Sequence, residues 1–302
     1  MNKQELTALV AEILQTMGTQ PTVKGADYKP TAPEPQPATP SYEDGDFVED
    51  VSKLDLRKLY MVEDPAQEQK FRRLKERTPA RLGSGRAGPR YKTLTMLRFR
   101  ADHAAAQDAV FSQVPEDFPQ KHDLVALQTQ CKDKDEYLTR PDKGRIFDEE
   151  NQEKLRREIS GKPRVQIVIG DGLSSAAILA NAMDCAAAIR DGLKLKGIDL
   201  GKSVFVRYCR VGAGDAVGDV LGCEVVCVLV GERPGLVTDK SMSAYITYNP
   251  HIGSLESERT VVSNIHAQGT PAVEAGAFVA DLIDTILKRK ASGVALNLEG
   301  SL

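Results

Sequence analysis

The chain has 302 residues, 41% hydrophobic and 27% charged, enough to bury a sizeable core in one large domain or two ordinary ones. Its formal net charge is only −3, and no basic stripe interleaved with aromatics occurs, which argues against a nucleic-acid partner. The longest apolar run, residues 225–230, is far short of the ~20 residues that span a bilayer, and no basic-then-apolar signal segment opens the chain, so a cytosolic, membrane-free protein is expected.

At the N-terminus, Leu6, Leu9, Val10, Ile13 and Met17 recur at helical spacing. Asn2 and Glu5 form a capping pair and Gly18 a stop, so residues 1–18 are expected to be an amphipathic helix. Residues 19–46 carry Pro21, Pro30, Pro33, Pro35, Pro37 and Pro40 among Thr, Ala and acidic residues, the composition of an unstructured linker. A helix on such a tether reads as a docking peptide for a partner helix or shell.

Residues 47–160 read as a helical, loop-rich region, with an amphipathic piece over 94–114 before Pro115 and a charged helix over 147–159. Two of its loops, Gly85-Arg86-Ala87-Gly88-Pro89-Arg90 and residues 137–145, are dense in Arg beside Gly and Pro. Arg on a rigid loop suits either bidentate capture of a carboxylate or phosphate, or surface salt bridges closing the loop.

After Gly161-Lys162-Pro163, residues 161–302 read as α/β. Apolar strands over 165–170, 204–208 and 225–230 run into the polar loops Asp171-Gly172-Leu173-Ser174, Cys209-Arg210-Val211 and Gly231-Glu232-Arg233-Pro234-Gly235. This pattern predicts a Rossmann-like, mostly parallel sheet whose carboxyl edge holds a ligand. Ser174 or Ser175 would cap a helix running to about Asp191, with Gly192 as its stop. A further strand over 244–248 precedes a last helix opened by Thr270-Pro271, with Val279, Leu282, Ile283 and Ile286 on one face and Lys288, Arg289 and Lys290 in its final turn.

Cys131, Cys185, Cys209, Cys223 and Cys227 form no even framework and read as reduced, mostly buried thiols. His103, His122, His251 and His266 are dispersed and do not pair with them, so no metal site is expected. Gly212-Ala213-Gly214-Asp215-Ala216-Val217-Gly218, followed by Glu232 at the next strand's end, admits a dinucleotide-binding oxidoreductase. Against that reading, Arg210 and Val211 intervene between strand and first glycine, and glycine serves any tight strand-to-helix turn.

Taken in order, the blocks 85–90, Tyr137-Leu138-Thr139-Arg140-Pro141-Asp142, 171–174, Phe205-Val206-Arg207-Tyr208, 231–236 and Ser263-Asn264-Ile265-His266 resemble the small (light) subunit of ethanolamine ammonia-lyase. The resemblance covers nearly everything after the proline linker. It implies an adenosylcobalamin-dependent ammonia-lyase, converting ethanolamine to acetaldehyde and ammonia as a hetero-oligomer with a large (heavy) subunit. The large subunit would hold the substrate, and this chain would cover the nucleotide-bearing side of the cofactor and contribute no catalytic residue. Residues 161–302 would then be a cobalamin-binding domain.

The resemblance carries cofactor contacts to Val211, Glu232 and Val261, the last where the family more often has cysteine, so that contact there would use the backbone. Cys209 stands where glycine would be expected before Arg210-Val211. No histidine lies in a D-x-H-x-x-G loop, which agrees with the family's base-on cofactor. The resemblance also implies residence in a bacterial microcompartment, with the N-terminal helix docking to its shell. A noncatalytic assembly subunit built on the same α/β body is the remaining alternative.

Overall fold

The computed structural model describes residues 50–55, 58–78 and 80–296. The expected amphipathic helix and proline linker lie outside them. Residues Asp50–Leu302 form one compact unit.

Its centre is a six-stranded sheet in the order β3-β5-β4-β6-β7-β8, comprising β3 (Val125–Gln128), β4 (Val165–Asp171), β5 (Val204–Arg207), β6 (Val225–Gly231), β7 (Met242–Tyr248) and β8 (Arg259–Ile265). The first four positions are mutually parallel, whereas β7 runs antiparallel to β6 and β8 antiparallel to β7. A separate two-stranded hairpin, β1 (Arg86–Ala87) and β2 (Arg90–Tyr91), is made by the first Arg-rich loop.

Every residue of β4 and of β6 is buried, which is why both read as unbroken apolar runs: helices cover the two faces. On one face Ile167, Ile169, Cys227, Leu229 and Ile246 pack against α6 (Ser175–Leu195) and α8 (Ala272–Arg289). On the other, Val168, Val206, Val226 and Val228 pack against α5 (Glu149–Glu158) and α7 (Ala213–Leu221). The remaining helices, α1 (Glu68–Glu76), α2 (Thr93–Phe111), α3 (Phe118–Lys121) and α4 (Lys134–Thr139), belong to the N-terminal part of the unit.

That part was expected to be helical, yet it supplies β3, which pairs with β5 from Val125↔Val204 to Gln128↔Arg207. Four residues with half-buried alternation make a weak periodic signal, and pairing with β5 supplies what the local sequence lacks. The strand β8 was also unforeseen. It lies at the sheet edge, so its burial is patchy and its sequence mixes apolar and polar residues.

Ser174 is the cap of α6, its hydroxyl accepting from the Ala177 amide at 3.1 Å. The helix does not stop at Gly192 but continues to Leu195. A Cβ at Gly192 would lie 2.6 Å from the Cβ of Ala280, and one at Gly276 would lie 2.6 Å from the Cys185 carbonyl, so both glycines allow α6 and α8 to pack closely.

Candidate functional site

The sheet fixes where a ligand can sit. From the carboxyl end of β4 the chain crosses through α6 to β5 on one side, whereas the neighbouring β6 leads to β7 on the other. Between two such diverging strands the loops part and leave a crevice. A hollow of about 140 Å³ lies there, lined by Leu173 after β4, Cys209, Arg210 and Val211 after β5, Val230 and Gly231 at the end of β6, Glu232 and Arg233 after it, together with Tyr137 and Tyr245.

Val211 and Glu232, both expected at the cofactor edge, thus line the same hollow. Val261 is not among its lining residues but lies directly opposite Tyr245 in the β7–β8 ladder, on the neighbouring strand. It is 45% exposed, with Ser263 also exposed on the same strand, so an open apolar and polar strip adjoins the hollow. Val261 is level with Val228 in the sheet, short of the strand end that carries Glu232.

Glu232 is held by groups distant in sequence. Its Oε1 accepts from the Ser243 hydroxyl at 2.7 Å and the Asn264 amide at 2.9 Å, and its Oε2 accepts from the Ser241 hydroxyl at 2.9 Å. Asn264 has φ +63°, the left-handed region, and its Oδ1 lies 2.8 Å from Nε2 of His266. Burial pushes the Glu232 carboxyl up, but the donors from Asn264, Ser243 and Ser241 together outweigh it and hold the group below the usual carboxylate range. Among the described residues no basic side chain forms an ion pair with Glu232.

The opposite wall is cationic and aromatic. The guanidinium of Arg210 lies 4.3 Å from the centroid of the Tyr137 ring and donates through Nη2 to the Tyr137 carbonyl at 2.7 Å. Tyr137 stacks on Tyr208 at 6.1 Å, and its hydroxyl donates to the Cys209 carbonyl at 3.2 Å. Burial raises the Tyr137 phenol, so it stays a neutral donor. Below it, Lys134 donates to the Gly172 carbonyl at 2.8 Å, with burial lowering its ammonium and Asp171 opposing that shift.

The side chains of Asp171 and Ser174 are engaged within the fold. Asp171 accepts from the Ser175 hydroxyl at 2.6 Å and the Val114 amide at 3.0 Å, while Ser174 caps its helix. Cys209 is unstrained in place of the expected glycine, because the positive φ falls one residue earlier, at Tyr208 (+56°). The room for its thiol comes from Gly170, where a Cβ would lie 2.7 Å from the sulfur. All five cysteines are buried and unbridged.

The second Arg-rich loop spends much of its charge internally. Arg140 makes a bidentate pair with Asp142 at 3.0 and 2.7 Å, and Lys143 pairs with Glu136. The glycine run after β5 is likewise structural. Gly214 and Gly218 lie inside α7, where a Cβ would sit 2.2 Å from Val228 and 2.2 Å from Pro250 respectively. Gly214 brings the helix onto the sheet and Gly218 brings it onto Pro250, so packing accounts for both without a pyrophosphate.

No helix among the described residues is long and apolar enough to cross a membrane. Fold and edge together define an α/β protein with a mostly parallel sheet and a polar, partly aromatic hollow where its strands diverge. Comparison with known proteins narrows this class. The family described as ethanolamine ammonia-lyase light chain matches residues 68–297. Proteins named ethanolamine ammonia-lyase small subunit from Clostridioides difficile and Clostridium perfringens are 52% and 50% identical, each over 98% of this chain and their own full length. The corresponding protein of Listeria monocytogenes is 49% identical over the same share. The chain belongs to the ethanolamine ammonia-lyase small-subunit family.

Proposed function

We propose that this chain is the cofactor-covering subunit of an adenosylcobalamin-dependent ethanolamine ammonia-lyase, and that its α/β body is a Rossmann-like cobalamin-binding domain. The observation that carries this reading is the hollow at the diverging strand ends, which Val211 and Glu232 line and which Val261 adjoins across Tyr245. Its chemistry suits a large ligand bearing amides and an anion. Glu232 is kept ionised, and three donors leave room at its oxygens for one more, such as an amide N–H. The Nε of Arg210 on the facing wall is buried without a partner.

Val211 offers backbone groups and a small apolar face, and the edge at Val261 offers backbone polar groups whatever its side chain. When bound, adenosylcobalamin supplies the homolytic chemistry that starts deamination. This chain binds and orients that group's tail and keeps water from it, while the large subunit encloses the substrate. The Arg-rich loops, particularly the exposed hairpin β1–β2, are the natural contacts for that partner. Residues 1–18 would address the complex to a microcompartment shell.

The test is coexpression with the large subunit of the same organism. Acetaldehyde should form from ethanolamine only when both chains and adenosylcobalamin are present. Full activity of the large subunit without this chain, or nicotinamide-dependent turnover by this chain alone, would refute the assignment.

A further inference from the structure

Five arginines among the described residues lie off the open surface: Arg81, Arg98, Arg207, Arg210 and Arg259. Four of them have a carboxylate within ion-pairing distance. Arg81 and Arg98 share Asp102 at 2.7 and 3.0 Å, Arg207 faces Asp171 at 3.8 Å, and Arg259 pairs with Asp215 and Glu256. Arg210 has none. Its Nη2 is satisfied by a carbonyl and its plane by an aromatic ring, but neither neutralises it, and its Nε is buried without an acceptor. Arg81 and Arg259 also leave one nitrogen without a partner, yet each keeps its counter-ion.

A half-buried guanidinium without an anion is costly to keep, and the fold does work to keep it. Its amide donates to the Gly144 carbonyl at 2.8 Å, and Gly144 is required beside it, since a Cβ there would lie 2.7 Å from Cγ of Arg210. The acids nearest the hollow are already used: Asp171 by Ser175, Val114 and Arg207, and Glu232 by Ser241, Ser243 and Asn264. Among the described residues, neither acid beside the hollow is free to serve as its counter-ion.

We propose that Arg210 is an oxyanion subsite that receives the phosphodiester of a corrinoid's nucleotide tail, opposite the amide-accepting carboxylate of Glu232. The assignment rests on the reading of the hollow as the cofactor edge. It follows from the chemistry of the two walls: a planar guanidinium fixed on Tyr137 presents N–H groups to an oxyanion, whereas Glu232 accepts from neutral donors. A nucleotide tail with amide side chains beside it carries both complements. A hollow of about 140 Å³ has room for one such group and not for a whole cofactor.

The test compares two ligands on the full chain assembled with its large subunit: cyanocobalamin, and cobinamide, which lacks the nucleotide and its phosphodiester. Arg210→Gln should weaken cyanocobalamin binding roughly 10- to 100-fold and leave cobinamide affinity within about twofold. Arg210→Lys keeps the charge but loses the fork, so it should give a smaller loss, again for cyanocobalamin alone, and it serves if the Gln variant does not assemble. Equal losses for both corrinoids, or no loss for cyanocobalamin, overturn the subsite. No loss accompanied by a weakened subunit complex assigns Arg210 to a carboxylate of the large subunit instead and equally overturns it. Glu232→Gln separates this from the wider reading: if that variant binds both corrinoids as the unaltered complex does, the hollow is not the cofactor edge, whatever Arg210 shows.

Discussion

Glu232 shows how a single side chain acquires its properties from places the local sequence does not reveal. Its donors come from Ser241 and Ser243 at the start of β7 and from Asn264 near the end of β8, so the strand pairing that aligns β6, β7 and β8 also assembles the carboxylate's shell. The position at a strand end was legible from the apolar run that precedes it; the shell was not, because β8 itself gave no clear strand signal. The carboxyl is depressed in the folded protein, so its contribution to stability is complete above the ordinary carboxylate value and is lost as pH falls through the depressed folded value. The stability difference between the unaltered chain and Glu232→Gln should accordingly stay constant from about pH 7 down to the ordinary carboxylate range and shrink below it. Thermal unfolding of the two proteins across that range checks this. A difference that grows in acid would mean that Glu232 is not held ionised.

Between elements, α7 and β8 are joined by the ion pair of Asp215 and Arg259, whose side chains are 6% and 3% exposed. Asp215 stands in the first turn of α7, in the middle of the glycine run, where the sequence offered a phosphate loop. The run's real work is packing: Gly214 and Gly218 let the helix approach Val228 and Pro250, and Asp215 reaches the opening residue of the edge strand. Sequence pattern alone does not distinguish a glycine that cradles a ligand from one that admits a valine, because the neighbour it admits is distant in the chain. The same holds for Gly192, expected as a helix stop and found facing Ala280. Asp215→Ala leaves Arg259 buried with the exposed Glu256 as its remaining carboxylate, so a destabilisation of about 3 kcal/mol is expected, the lower part of the range for a broken buried pair. Urea denaturation reads this directly. Loss of the exposed Arg140–Asp142 pair, by contrast, should leave the unfolding midpoint unchanged.

At the scale of the molecule, the central strands β4, β5 and β6 and the helices α6 and α8 were all legible, because elements covered on both faces or along one stripe leave unmistakable apolar periodicity. What escaped was the periphery, β3 and β8, where pairing with a neighbour decides the conformation. The proposed site straddles that division: Val211 and Glu232 hang from the legible centre, Val261 from the edge. All three, with Arg210 and Tyr137, belong to the unit Asp50–Leu302, and every contact described for the hollow is made within it. If residues 1–18 serve as an address, their loss should spare the proposed cofactor capture. A chain lacking residues 1–18, assembled with the large subunit, should bind cyanocobalamin within about twofold of the full-length complex, as expected when no contact to the ligand is removed. It should at the same time lose co-sedimentation with microcompartment shells. A large drop in cofactor affinity would place the N-terminal segment at the hollow, and unchanged shell association would leave the address signal elsewhere in the complex.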